Sequence, residues 1–180
     1  MLEHTREKPG LDLLLAQPQL RWHSANPFSL SECPRSLRPL LCQQQSLTRA
    51  VRSALGGQLR VRLLQQGWHM LAGQIVQQPG RHYMLARRLC MLHGQALALD
   101  ALSLLPAQAL RGSLKPLRQL GHKALGDALF SGMVSTQRSQ IEVAHDTQHW
   151  WRRSQLHIHG NSIFLVERFP TAFWHQQAQA

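Results

Sequence analysis

The segment WRRSQLHIHGNSIFLVERF, Trp151 to Phe169, is two runs of alternating side chains around Gly160-Asn161. Gly-Asn suits the two-residue connection of a tight β-hairpin. With the turn there, Ile158 faces Ile163, Leu156 faces Leu165, Ser154 faces Glu167 and Arg152 faces Phe169, because antiparallel partners share a side of the sheet. One face then reads Leu156, Ile158, Ile163, Leu165 and Phe169, with Glu167 among them. A carboxylate in an apolar row must be paired, protonated or used, since burying it unpaired costs several kcal/mol. Glu167 is therefore a candidate for proton transfer, with burial expected to raise its pKa, and Arg152 on the same face is a candidate structural partner. The alternative is an off-register strand that leaves Glu167 in water.

Moving towards the N-terminus, Gln137 to Ala144 alternates Ile141 and Val143 against Gln140 and Glu142, the pattern of a half-buried strand. Ala124 to Phe130 reads as a short helical turn with Leu125 and Leu129 inside, and Pro106 to Gln119 as one or two helical turns interrupted at Gly112 and Pro116. Arg81 to Leu92 and Ala96 to Leu105 form a second hairpin around His93-Gly94-Gln95, apolar on both faces as central strands are. In its first strand Tyr83, Leu85, Arg87, Leu89 and Met91 share a side. The Arg87 guanidinium cannot neutralise, so in that row it needs an acidic partner or a bound carboxylate. Leu59 to Gln65 is a strand with Arg60 and Arg62 towards solvent. Ser46 to Gly57 is a helix: Ser46 can cap it, Leu47, Val51 and Leu55 recur every four residues, and two glycines stop it. Taken together the elements predict an α+β domain, an antiparallel sheet of about six strands with short helices on one side and at its ends, enclosing a pocket in the core. Two hairpins argue against a doubly wound parallel sheet.

Several short motifs in fixed order give this pattern a family likeness. Ser46-Leu-Thr-Arg49, Leu120-Gly-His-Lys-Ala-Leu-Gly-Asp-Ala-Leu-Phe130, Trp150-Trp-Arg-Arg-Ser154 and Val166-Glu167 together resemble the chorismate pyruvate-lyases over roughly residues 35 to 174. The resemblance implies removal of pyruvate from chorismate to give 4-hydroxybenzoate, the first committed step towards ubiquinone, with no metal and no cofactor. It implies a ligand pocket lined by Leu47 and Leu125, a ligand-binding arginine in the strand that holds Arg87, and Glu167 as the proton-exchanging group. Counting back from Pro106 gives that arginine as Arg87, while counting from Gly94 gives Ala86; Arg87 is taken as the ligand arginine, with Arg88 on the opposite face as the fallback. Where the family commonly has Ala-Arg-Thr in the returning strand, this chain has Ala101-Leu102-Ser103. That departure keeps a second function open, a non-catalytic aromatic-acid-binding domain on the same fold.

Composition bounds the rest. A chain of 180 residues fits one domain; residues 34–174 are read as that domain, 1–33 as an N-terminal extension with helix fragments broken by Pro9, Pro18 and Pro27, and 175–180 as a tail. Three cysteines with no Cys-x-x-Cys pair argue for reduced thiols and a cytoplasmic protein. The apolar run Leu11 to Ala16 is too short for a signal peptide or a membrane span. The formal charge is +11, yet the arginines are scattered singly or in pairs, which points away from nucleic acid and towards a small acidic substrate. The histidine pairs His145/His149 and His157/His159 lack a third ligand at recognisable spacing, so no metal site is expected. Trp150, Trp151 and Trp174 are expected to close the core, and the protein is expected to be a monomer.

Overall fold

The computed structural model describes residues 19–178 except 74, 77, 113 and 131–135. The helix fragments expected across residues 1–18 and the last two residues of the tail lie outside the described residues. In chain order the elements are β1 (His23–Ser24), α1 (Arg38–Leu41), α2 (Leu47–Leu55), β2 (Leu59–Ala72), β3 (Arg81–His93) and β4 (Ala96–Pro106). Two 3-10 turns (Ala109–Arg111 and Lys115–Gln119) lead to α3 (Leu125–Leu129), and β5 (Gln137–Arg138), β6 (Glu142–His145), β7 (His149–Ile158), β8 (Asn161–Pro170) and α4 (Thr171–Gln177) follow. All strands join one antiparallel sheet in the order β1-β6-β7-β8-β4-β3-β2, with β5 paired to β7.

The β7–β8 hairpin keeps the predicted faces but not the predicted register. Leu156 pairs with Ile163, Ser154 with Leu165, Arg152 with Glu167 and Trp150 with Phe169. The turn is His159-Gly160, both at positive φ (47° and 74°), as a type I′ connection requires. Glycine then takes the second central position, where it is favoured, and Asn161 becomes a strand residue whose amide donates to the His159 carbonyl at 3.1 Å. The slip moves every partner by two positions, so side chains stay on their faces. Its consequence is that Arg152, not Ser154, lies opposite Glu167.

The two hairpins meet along the β4–β8 seam, where Ala101 pairs with Glu167 and Ser103 with Leu165. On the side away from α2 and α3, Asp100 fastens this seam. Arg88 grips it through both oxygens (Nε to Oδ1 3.1 Å, Nη2 to Oδ2 2.7 Å), and Arg168 from β8 donates to Oδ2 at 2.8 Å. Leu102, Leu104, Trp151, Phe164 and Val166 fill the same face.

The other face is roofed by the short helices. Nine-residue α2 is too short to persist alone. Ser46 Oγ accepts from the Arg49 amide at 3.2 Å as its N-cap, and Leu47 and Val51 bury into the core, each worth about 1.5–3 kcal/mol. At the sheet's far end α4 inserts Phe173 and Trp174, the latter fully buried with its indole N–H on the Ala98 carbonyl at 2.9 Å. Leu30 and Cys33, ahead of α1, join the same apolar cluster.

Candidate active site

Strand pairing lays two rows of residues across the roofed face. One runs Arg87, Ser103, Leu165, Ser154 from β3 to β7; the next runs Leu89, Ala101, Glu167, Arg152. Between these rows and the helices α2 and α3 is a cavity of about 40 Å³, whose lining includes Leu47, Leu125, Gly126, Arg138, Leu165 and Glu167. This volume suits a few waters, so an aromatic acid must part the roof to enter. The roof is tight at Gly126, where a Cβ would sit 3.0 Å from Ser46 Oγ and 3.4 Å from Thr48 Oγ1.

Glu167 is buried and paired: Arg152 Nη1 donates to Oε2 at 2.9 Å, and Arg152 itself is fully buried. Two more of its donors go to backbone, Nε to the Leu41 carbonyl at 3.2 Å and Nη2 to the Gln43 carbonyl. Arg138 continues the series. Its Nε and Nη2 donate to the Gln44 and Gln45 carbonyls (2.8 and 3.2 Å), and Nη1 donates to Ser154 Oγ at 2.6 Å. Two guanidiniums from the sheet thus tie down the segment that delivers Ser46 and α2 over the cavity. Burial, with the positive charge of Arg152 beside it, lowers the Arg138 pKa to about 10, while Glu167 opposes the shift; it remains a cation at neutral pH.

Arg87 is buried on the same face, outside the lining of the small cavity. Its Nε donates to Gln66 Oε1 at 2.8 Å and its Nη2 to the Gly121 and Lys123 carbonyls at 2.8 and 3.3 Å. Among the described residues Nη1 has no hydrogen-bond partner, and burial lowers the pKa of the group. Every acceptor here is neutral, in contrast with Arg88, whose charge is met by Asp100 on the opposite face. Among the described residues the roofed face accordingly sets three buried or half-buried guanidiniums, Arg87, Arg138 and Arg152, against one buried carboxylate, Glu167, an excess of two positive charges.

Of the residues singled out in the sequence, Leu47, Leu125 and Glu167 come together around the cavity and Arg87 lies beside them in the adjoining row. Arg138 was not singled out. It occupies a two-residue strand with no alternation of its own, and its partners at 44 and 45 lie more than ninety positions away; the stretch Gln137-Arg-Ser-Gln-Ile carried no local sign of them. Leu102 belongs to the apolar cluster of the opposite face. A larger open groove of about 520 Å³, lined by Trp68, Lys115 and Arg118 among others, touches this site through Gln66 but holds no carboxylate. Among the described residues no group of three His, Cys, Asp or Glu side chains is placed to hold a metal ion, and no helix is long and apolar enough to cross a membrane.

Comparison of the sequence with known proteins points to the chorismate lyases. The family model described as chorismate lyase covers residues 17–179. A protein named probable chorismate pyruvate-lyase from Methylococcus capsulatus is 28% identical over 149 residues, 72% of this chain and 91% of that protein. The chorismate pyruvate-lyase of Escherichia coli is 36% identical over 70 residues, which is 39% of this chain and 42% of that protein. A solved ligand-binding domain of a GntR-family transcriptional regulator from Bordetella bronchiseptica overlaps 64% of this chain and 85% of its own, with TM-score 0.46 and 13% identity.

Proposed function

The chain belongs to the chorismate lyase family, and on that premise we propose that it removes pyruvate from chorismate to leave 4-hydroxybenzoate. The observation that carries this reading is the charge balance of the roofed face among the described residues: two surplus guanidinium charges beside a single paired carboxylate, Glu167. A dicarboxylate satisfies both surplus charges, and buried cations left unmatched are costly. In the reaction the ring carbon–oxygen bond to the enolpyruvyl group breaks and the adjacent ring carbon gives up its proton. The departing enolate takes a proton on carbon and becomes pyruvate. Atoms and electrons balance without an oxidant, and aromatisation drives the step, so positioning and one proton shuttle are what the protein must supply.

Glu167 exchanges that proton, held in place by Arg152 on the neighbouring strand. Arg87 clamps a carboxylate, for which its unpartnered Nη1 is available among the described residues. Leu47 and Leu125 close over the ring from α2 and α3. The same reading makes the protein a cytoplasmic monomer that feeds 4-hydroxybenzoate to ubiquinone synthesis, with no metal or organic cofactor in the step. The test is to incubate purified protein with chorismate, without added metal or cofactor, and follow 4-hydroxybenzoate and pyruvate together. Equal appearance of both, lost in Arg87→Ala, is the expected result. Folded protein that binds 4-hydroxybenzoate and yields neither product would overturn the lyase reading in favour of an aromatic-acid-binding domain.

A further inference from the structure

We propose that Arg138 binds the carboxylate of the departing enolpyruvyl group, while Arg87, at the far end of the cross-sheet row that Arg138 reaches through Ser154, takes the ring carboxylate. The assignment rests on the lyase reading above. Arg138 lines the cavity together with Glu167, but the Glu167 carboxylate is engaged by Arg152 at 2.9 Å. The partners Arg138 does have, two backbone carbonyls and the Ser154 hydroxyl, are all neutral. They use three of the five N–H donors of a guanidinium, which leaves two without a hydrogen-bond partner among the described residues. A half-buried cation with spare donors on a cavity wall is a carboxylate site.

The positions then follow from the sheet. Ser154, to which Arg138 is bonded, is joined to Arg87 through Leu165 and Ser103. Three strand spacings of about 4.8 Å separate the ends of that row, roughly 14 Å at the backbone; Arg87 reaches inward from one end, and Arg138, on β5 one strand beyond β7 and opposite Leu156, meets the other end through Ser154. Glu167 lies one row over on β8, beside Arg138. The proton transfer takes place next to the ether, so the carboxylate nearest Glu167 is the one on the leaving group. The ring carboxylate lies across the ring, towards β3 and Arg87.

Arg138 also tethers residues 44 and 45, so the experiment has to separate contact with substrate from support of the roof. Kd is measured for chorismate and for 4-hydroxybenzoate, and kcat/KM for chorismate, in the wild type, Arg138→Gln and Arg87→Gln. Loss of a charge-assisted contact lowers affinity by about 10- to 100-fold. In Arg138→Gln we expect that loss for chorismate, with 4-hydroxybenzoate, which has only the ring carboxylate, changed by less than about 3-fold. Arg87→Gln is expected to weaken both. Equal weakening of both ligands by Arg138→Gln would make the residue a tether alone and overturn the proposal, as would no effect on either. If Arg138→Gln does not fold, Arg138→Lys keeps the charge but loses the planar fork of donors, and the same split between the two ligands is required of it. Wild-type protein that binds chorismate without converting it would sink the lyase reading while the Kd comparison still decides Arg138; wild type that binds neither compound overturns both.

Discussion

The Arg152–Glu167 pair permits a quantitative test, because both partners are buried and each side of the interaction is defined. In Arg152→Met the Glu167 carboxylate loses its 2.9 Å partner while remaining about 5% exposed, and the Leu41 and Gln43 carbonyls lose their donors. Breaking a buried pair from one side typically costs about 3–5 kcal/mol, mostly the penalty of the charge left behind. Unfolding entropy of about 2.1 cal/mol/K per residue, over 180 residues, converts each kcal/mol to about 2.6 °C. The expected fall in Tm is therefore about 8–13 °C. Adding Glu167→Leu to Arg152→Met removes the stranded charge and should recover about half of that loss or more, since apolar replacement of a whole buried pair is close to neutral. Differential scanning calorimetry on the wild type, both single variants and the double variant closes the cycle. A double variant no more stable than Arg152→Met, or a single-variant loss under about 1 kcal/mol, would refute the account of Glu167 as a carboxylate held by Arg152.

Other expected outcomes follow from single contacts. Glu167→Gln keeps the shape and an oxygen for Arg152 but removes the proton-exchanging group; turnover of chorismate should fall by about 10²–10⁴ with 4-hydroxybenzoate affinity nearly unchanged, and unaltered turnover would end its acid–base role. Gly126→Ala sets a methyl 3.0 Å from Ser46 Oγ, which cannot retreat without loosening its cap on α2. Urea unfolding should show a net loss of about 1 kcal/mol despite the better helix former, and a gain would show that the roof yields freely. His149 has its pKa lowered, chiefly by burial and then by the charge of Arg168, with Asp146 opposing. The unfolded chain therefore binds a proton first as pH falls through the region of 6.5 and below, so stability declines towards acid there. His149→Gln should flatten that part of the urea-midpoint profile; a native-state slope of the opposite sign would exclude the effect.

How far the sequence determined this picture varies with the kind of signal. Alternation set the faces of β3, β7 and β8 correctly because side-chain direction has a period of two and tolerates an even slip. The turn did not follow from it: Gly-Asn and His-Gly are adjacent choices, and Arg152 against Glu167 together with Trp150 against Phe169 fit only the latter. Ser46 as cap and Leu47 with Val51 as the inner stripe of α2 were legible because capping and helical spacing are local. The α4 segment, Thr171 to Gln177, was missed, since its two buried aromatics, Phe173 and Trp174, are held by β4 and β8 and not by a repeating pattern. Of two adjacent arginines, 87 and 88, sequence alone could not say which had an acid; Asp100 across β4 answers for Arg88. Arg138 was hidden for the same reason, being defined by carbonyls supplied from a distant loop.

β8 is the last strand in chain order and the middle one of the seven-strand path. Each hairpin is local and can form early, but the seam between them spans long sequence separation: the Arg168–Asp100 clasp joins residues 68 positions apart. The sheet is thus completed from its centre by the segment that is synthesised late. On one side of that seam the clasp is fastened, and on the other Glu167 is brought against Ala101. Assembly of the sheet and creation of the pocket wall are therefore one event, and a nascent chain that ends before β8 has both halves of a sheet and no site.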